Sequence, residues 1–155
     1  MRQVNIDERD RAILRALQED GSLSNVELAE LVNLSPSACH RRVRLLEESG
    51  LIAGTVTLLD PEACGKPGAA FVEIKLDRQD RNALDQFEAV VATVPEIMEC
   101  YLVAGVSDYV IRTIYGDKAD FERLHTEILT QLPGVVRVET TFVLRTVKCT
   151  TKMPI

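Results

Sequence analysis

Ser37, His40, Arg41 and Arg44 recur at three- and four-residue steps, with Ser35 just ahead of them. On an α-helix that spacing gathers the side chains on one face. Hydroxyls, an imidazole and guanidiniums presented together suit duplex DNA. Arg pairs with the acceptor edge of guanine in the major groove, and the free amides of a helix N-terminus bind anionic oxygens. The stretch Ser35–Glu48 has the signals of such a helix: a Ser in the N-cap place and Pro36 at the first helical position. Ala38, Val43, Leu45 and Leu46 are expected to line its apolar side.

A second group with chemical potential is Gly105-Val106-Ser107-Asp108. Gly105 would let the backbone approach a small ligand, its amide and its neighbours' amides could hold a carboxylate, and Asp108 could hold an ammonium group. Together they would read the two ends of a free amino acid. The competing reading is a plain β-turn in which Asp108 caps backbone amides. Enzyme chemistry has less to stand on. His125 is isolated among apolar residues, and no Ser-His-Asp set, paired carboxylates, metal-ligand spacing or Gly-rich phosphate loop can be assembled. No cofactor and no metal are expected.

The elements that must position these groups are legible as two patterns. Asp7–Asp20 carries Ile6, Ile13, Leu14 and Leu17 at helical spacing, and Gly21 follows. Ser24-Asn25-Val26-Glu27 is a capping box opening a short second helix, with Leu28, Leu31 and Val32 as its buried stripe and an end near Asn33. About four residues then lead into the basic helix, which is helix-turn-helix spacing. Leu51–Leu59 is expected to form a small hairpin wing or a connecting strand.

Residues 61–68 break the pattern with two prolines and two glycines, marking a linker. Beyond it, strands and helices alternate as β-α-β-β-α-β. Ala70, Val72, Ile74 and Leu76 alternate with Phe71, Glu73 and Lys75, and Leu84, Phe87, Val91 and Val94 keep helical spacing before Pro95. Strands are expected over Ile97–Val103, Tyr109–Ile114 and Val135–Val147, and a second helix is marked by Phe121, Leu124, Ile128, Leu129 and Leu132. Phe71-Val72-Glu73-Ile74 matches Tyr109-Val110-Ile111-Arg112, and Val94-Pro95-Glu96-Ile97 matches Leu132-Pro133-Gly134-Val135, both at an offset of 38. Two such halves make a split, ferredoxin-like sheet. The fold class is therefore α+β: a winged helix-turn-helix over 1–60, a linker over 61–68, and a ferredoxin-like domain over 69–155. Helices on one sheet face leave the other to be covered, and a second copy of the chain is the expected cover.

Composition agrees with a folded, water-exposed chain of 155 residues: 46% apolar and 27% charged, with no run approaching a membrane span and no signal-peptide core at the start. A cytoplasmic protein with no membrane partner is expected, its four cysteines (39, 64, 100 and 149) reduced and mostly buried rather than forming a redox switch. The net charge of −6 runs against simple nucleic-acid binding, and residues 1–60 hold seven Arg against ten Asp or Glu, net −3. Three of those Arg fall within 41–44, so the local potential counts for more than the total. Several copies acting together would offset the weak non-specific attraction.

Ser24-Asn25-Val26-Glu27-Leu28-Ala29-Glu30, Leu34-Ser35-Pro36-Ser37, Arg42-Val43, Gly50-Leu51-Ile52, Leu58-Leu59-Asp60-Pro61, Gly105, Asp108-Tyr109 and Leu132-Pro133-Gly134-Val135 together resemble the Lrp/AsnC, or feast/famine, regulators. The resemblance implies a transcriptional regulator binding double-stranded DNA, dimers assembling into tetramers or octamers, and a small amino-acid effector. It also implies that Leu102, Thr140, Thr141 and Phe142 line or tune the effector site. A departure from the family pattern, Val106-Ser107 in the glycine turn, leaves the amino acid open. An architectural DNA-wrapping protein without a ligand switch is the alternative, and a small amino-acid-metabolising enzyme a more distant one.

Overall fold

A glycine in the left-handed region, or an Asn standing in for it, ends each of the two helices that frame the turn. In the computed structural model, which describes residues 5–155, α1 spans Glu8–Glu19, α2 Asn25–Leu31 and α3 Pro36–Glu48. Asn33 at φ 54° closes α2, with its amide reaching the Glu30 carbonyl and the Leu34 amide reaching Ala29. Gly50 at φ 77° closes α3 in the same way, through Glu47 and Leu46. Both are Schellman endings, which satisfy carbonyls that the helix leaves free. Four residues, 32–35, separate α2 from α3.

The starts are capped as firmly. Ser24 and Glu27 form the capping box read from the sequence, and Asp7 with Asp10 forms a second one on α1. Ser35 caps α3 through the Ala38 amide, and the Asn25 side chain donates to the Pro36 carbonyl at 2.9 Å, fixing where α3 begins against α2. Ile13, Leu14, Leu28, Ala29, Val32, Cys39 and Leu46 make the core of this unit.

Two apolar expectations are corrected here. Leu31 is 61% exposed and Leu45 51% exposed, because Ala29 and Cys39 take the inward positions and the helix turns the leucines outward. The hairpin or strand expected over Leu51–Leu59 is not formed either. Residues 53–60 have no ladder partner within the chain, and Val56, Leu58 and Leu59 are exposed.

The second unit, Leu59–Val147, holds β1 (Gly68–Leu76), β2 (Ile97–Leu102), β3 (Tyr109–Tyr115) and β4 (Val135–Phe142). They form an antiparallel sheet in the order β2-β3-β1-β4. α4 (Arg81–Val91) and α5 (Lys118–Arg123), the latter continuing through a π turn over Leu124–Ile128 and a 3₁₀ turn over Leu129–Gln131, complete the β-α-β-β-α-β order. Val72, Ile74 and Leu76 from β1 meet Tyr109 and Ile111 from β3, and Phe87, Val91, Leu124, Leu129 and Leu132 close over them. Burying each such aliphatic side chain is worth roughly 1.5–3 kcal/mol.

Phe71, Glu73 and Lys75 point to the opposite face, where Phe71 is 42% exposed. β4 ends at Phe142, short of the expected Val147: Ala70 pairs with Phe142, the Val143 amide reaches Ala69, and β1 begins only one residue earlier, at Gly68. With no strand left to pair, Leu144 and Val147 stand exposed. Residues 148–155, placed by the sequence reading with the sheet, cluster with the helices instead. Gln18 exchanges hydrogen bonds with the Met153 backbone, Arg15 donates to the Ile155 carbonyl, and Ile155 packs on the helical core.

Candidate nucleic-acid interface and ligand site

Helix α3 presents Ser35, Ser37, His40, Arg41 and Arg44 to solvent together, as helical spacing dictates. The two serine hydroxyls lie 3.3 Å apart at the helix N-terminus, beside the free amides that attract anions. Arg44 is held along the helix by Glu48, Nε to Oε1 at 2.7 Å, which raises its pKa. With those side chains 70% and 54% exposed, that pair is easily exchanged for a phosphate or a base edge. Arg42 turns instead toward the start of α1, where its Nη1 donates to the N-cap Asp7 at 2.8 Å and to Asp10 at 2.7 Å.

Nothing in the spacing of Asp7, Asp10 and Arg42 ties positions some thirty residues apart, so this cluster is not legible in the sequence. The expectation of mostly buried thiols is corrected. Only Cys39 is buried; Cys100 is half-buried, and Cys64 and Cys149 are exposed. Burial pushes the Cys39 thiol pKa up, and burial together with the Glu88 charge pushes Cys100 to about 11. Neither is primed as a thiolate.

At the other candidate site the turn and its aspartate separate. Gly105 and Val106 are exposed, Val106 at 83%, and Ser107 donates to Glu73 on the open sheet face at 2.6 Å. Asp108 is turned inward and 6% exposed. Its Oδ2 accepts the Leu76 amide at 2.8 Å, and its Oδ1 accepts Gln79 at 2.7 Å and Lys75 at 3.1 Å. Burial alone would raise the Asp108 pKa, but these donors hold it below the usual carboxylate value. Within the chain, its own donors occupy both oxygens, so Asp108 fastens the turn to β1.

The remaining residues divide by the alternation of the strand. Thr141 lies opposite Phe71 and shares the open face, whereas Thr140 and Phe142 lie opposite Val72 and Ala70 on the helix-covered face. Thr140, whose hydroxyl is buried without a partner, and Phe142, which packs on Phe121, are thus separated from the turn by the sheet. Leu102 pairs across from Tyr109 and is 59% exposed at the end of β2.

Next to the turn, Glu73, Lys75, Val106, Ser107, Arg137 and Glu139 surround a recess of about 30 Å³. That volume is room for a water, not for an amino acid. Among the described residues no group of three or more His, Cys, Asp or Glu is placed to hold a metal, and no helix is long and apolar enough to cross a membrane.

A helix-turn-helix with a polar, Arg-bearing third helix, joined to a ferredoxin-like unit, defines a DNA-binding regulator with a ligand-binding domain. Comparison with known proteins gives two matching parts. Residues 6–53 match the family model for winged helix-turn-helix DNA-binding, and residues 69–153 match the Lrp/AsnC ligand binding domain. The chain is 42% identical to the leucine-responsive regulatory protein of Salmonella typhimurium over 97% of its own length and 92% of that protein's. Among solved structures, a Neisseria meningitidis transcriptional regulator in complex with L-Met superposes with a TM-score of 0.92 at 36% identity, covering 97% of each chain. An AsnC family regulator from Agrobacterium tumefaciens superposes with a TM-score of 0.91 at 34% identity, covering 96% of this chain and 97% of that one. The chain belongs to the Lrp/AsnC family of DNA-binding transcriptional regulators.

Proposed function

We propose that this regulator docks α3 in the major groove through Ser35, Ser37, His40, Arg41 and Arg44, and that a free amino acid modulates its DNA occupancy from a site at the Gly105–Ser107 turn. One observation carries the DNA reading: all five side chains are exposed on a single helix while Arg42 is tied back. The serines and the helix N-terminus suit phosphates, and the exposed guanidiniums of Arg41 and Arg44 suit base edges once Arg44 exchanges Glu48.

The effector reading is supported by the L-Met complex of the Neisseria meningitidis relative and by the leucine-responsive character named for the Salmonella typhimurium one. Within this chain, a Cβ added at Gly105 would meet nothing within 4 Å, so the fold of one protomer makes no use of the missing side chain. The recess beside the turn is too small for an amino acid on its own. A second copy covering the open face of Phe71, Glu73 and Lys75 would enlarge and close it, which makes a dimer the working unit and places the effector at a subunit contact. Thr141 shares that face; Thr140 and Phe142 would act only through the packing behind it.

A ligand at a subunit contact shifts assembly and DNA occupancy through its unequal affinity for two states. The cytoplasm, where DNA and free amino acids meet, is the proposed location. Calorimetric titration with single amino acids, L-Met and L-Leu first, tests the effector reading: saturable heat supports it, and silence across the standard set contradicts it.

A further inference from the structure

Arg41, Arg42 and Arg44 crowd one stretch of α3, and by type alone all three could face DNA. Arg42 does not. Its side chain is 24% exposed, and a single nitrogen, Nη1, bridges Asp7 and Asp10. These carboxylates are themselves the capping box of α1, where the Asp7 side chain accepts the Asp10 amide and the Asp10 side chain accepts the Asp7 amide. The guanidinium therefore completes a three-residue cluster that both caps the start of α1 and grips the middle of α3. One positive charge against two negative ones leaves the cluster net negative, the wrong sign for a phosphate contact.

We propose that Arg42 is a positioning residue for DNA recognition: it touches no DNA, and by clamping α3 to Asp7 and Asp10 it sets the angle at which Arg41 and Arg44 meet the groove. The inference rests on α3 being the groove-facing helix. Asn25 fixes where α3 starts, through the Pro36 carbonyl, while the Arg42 clamp fixes its rotation and tilt further along. Base-edge contacts need aligned donors, whereas phosphate attraction tolerates misalignment. Loosening the clamp should thus cost discrimination more than it costs general affinity.

The decisive variants are the aspartates, because two explanations give opposite signs. Asp7→Asn with Asp10→Asn removes two negative charges beside the DNA face, and Asn keeps the capping geometry. If the carboxylates act only through charge, binding to all DNA tightens. If they position α3, operator binding weakens while binding to unrelated duplex does not. Fragments that the full-length protein itself selects from random duplexes serve as the operator, with anisotropy read below the melting onset of every variant.

The expected results are a loss of about tenfold in operator affinity for Arg42→Ala, with the steepness of the salt dependence unchanged. The Asp7→Asn, Asp10→Asn pair should lose a similar amount, combining the pair with Arg42→Ala should cost little more, and Arg42→Lys should recover part of the loss. Three results would overturn the proposal: a salt slope reduced by about one per half-site in Arg42→Ala, tighter operator binding by the aspartate variants, or equal losses on operator and unrelated DNA. If Arg41→Ala and Arg44→Ala leave DNA binding intact, α3 is not the reading helix. That failure is distinct from failure of the clamp.

Discussion

Asp108 and Leu76 are joined by a carboxylate-to-amide hydrogen bond of 2.8 Å that fastens the turn before β3 to the end of β1. Asp108→Ala would leave the Leu76 amide without this acceptor and Lys75 and Gln79 without their partner. The sheet unit should lose about 2 kcal/mol, read by urea denaturation. The sign of the pH dependence follows from the lowered folded pKa: the contribution is complete above the unfolded value and disappears as pH falls through the folded one. Wild type should therefore lose this increment below about pH 4, and Asp108→Asn should lack that part of the acid sensitivity.

Gly68 lies against the Tyr115 ring, which an added Cβ would overlap. Phe121 and Phe142 hold that ring, with centroids 5.1 Å and 6.1 Å away. Gly68→Ala should destabilise the sheet unit by about 1–3 kcal/mol. In a Tyr115→Ala background the same change should cost much less, so a double-mutant cycle in urea gives a coupling of either clear size or none.

The helical unit is stapled by its most distant residues. Arg15 to Ile155, Gln18 to Met153 and Lys152 to Glu19 bring the last residues onto α1. Removing 150–155 should speed hydrogen exchange of the α1 amides and lower the melting temperature of the helical unit by a few degrees. Exchange unchanged along α1 would show that the staple does not form in solution.

Cys39 is shielded by the helical core and Cys64 and Cys149 are open, so a thiol reagent under native conditions should label Cys64 and Cys149 within the first phase. Cys39 should react only at the rate at which the helical unit opens, and mass spectrometry of quenched aliquots reads the order directly.

Local rules carried the reading of the sequence a long way. Ser24, Ser35, Pro36 and the alternation of Val72, Ile74 and Leu76 act on neighbours within four positions, so the elements and the exposed side of α3 follow from spacing alone. What escaped depends on partners distant in the chain. Leu31 and Leu45 are turned out because other residues fill the inner positions, Arg42 finds aspartates on α1, and residues 148–155 return to the helices. The expected effector residues are divided for a simpler reason. Thr140, Thr141 and Phe142 are consecutive on a strand, and consecutive strand residues face opposite sides of the sheet. Asp108 has the chemistry to hold an ammonium group, but burial and three donors give it another task.

The central claim is that the exposed face of α3 reads DNA. The most direct test is the salt dependence of binding to self-selected duplex for wild type, Arg41→Ala and Arg44→Ala. Each variant should lose about 1–3 kcal/mol on the operator if its Arg pairs with a base edge, or lower the salt slope by about one if it meets a phosphate. Affinity and slope both unchanged in both variants would contradict the account.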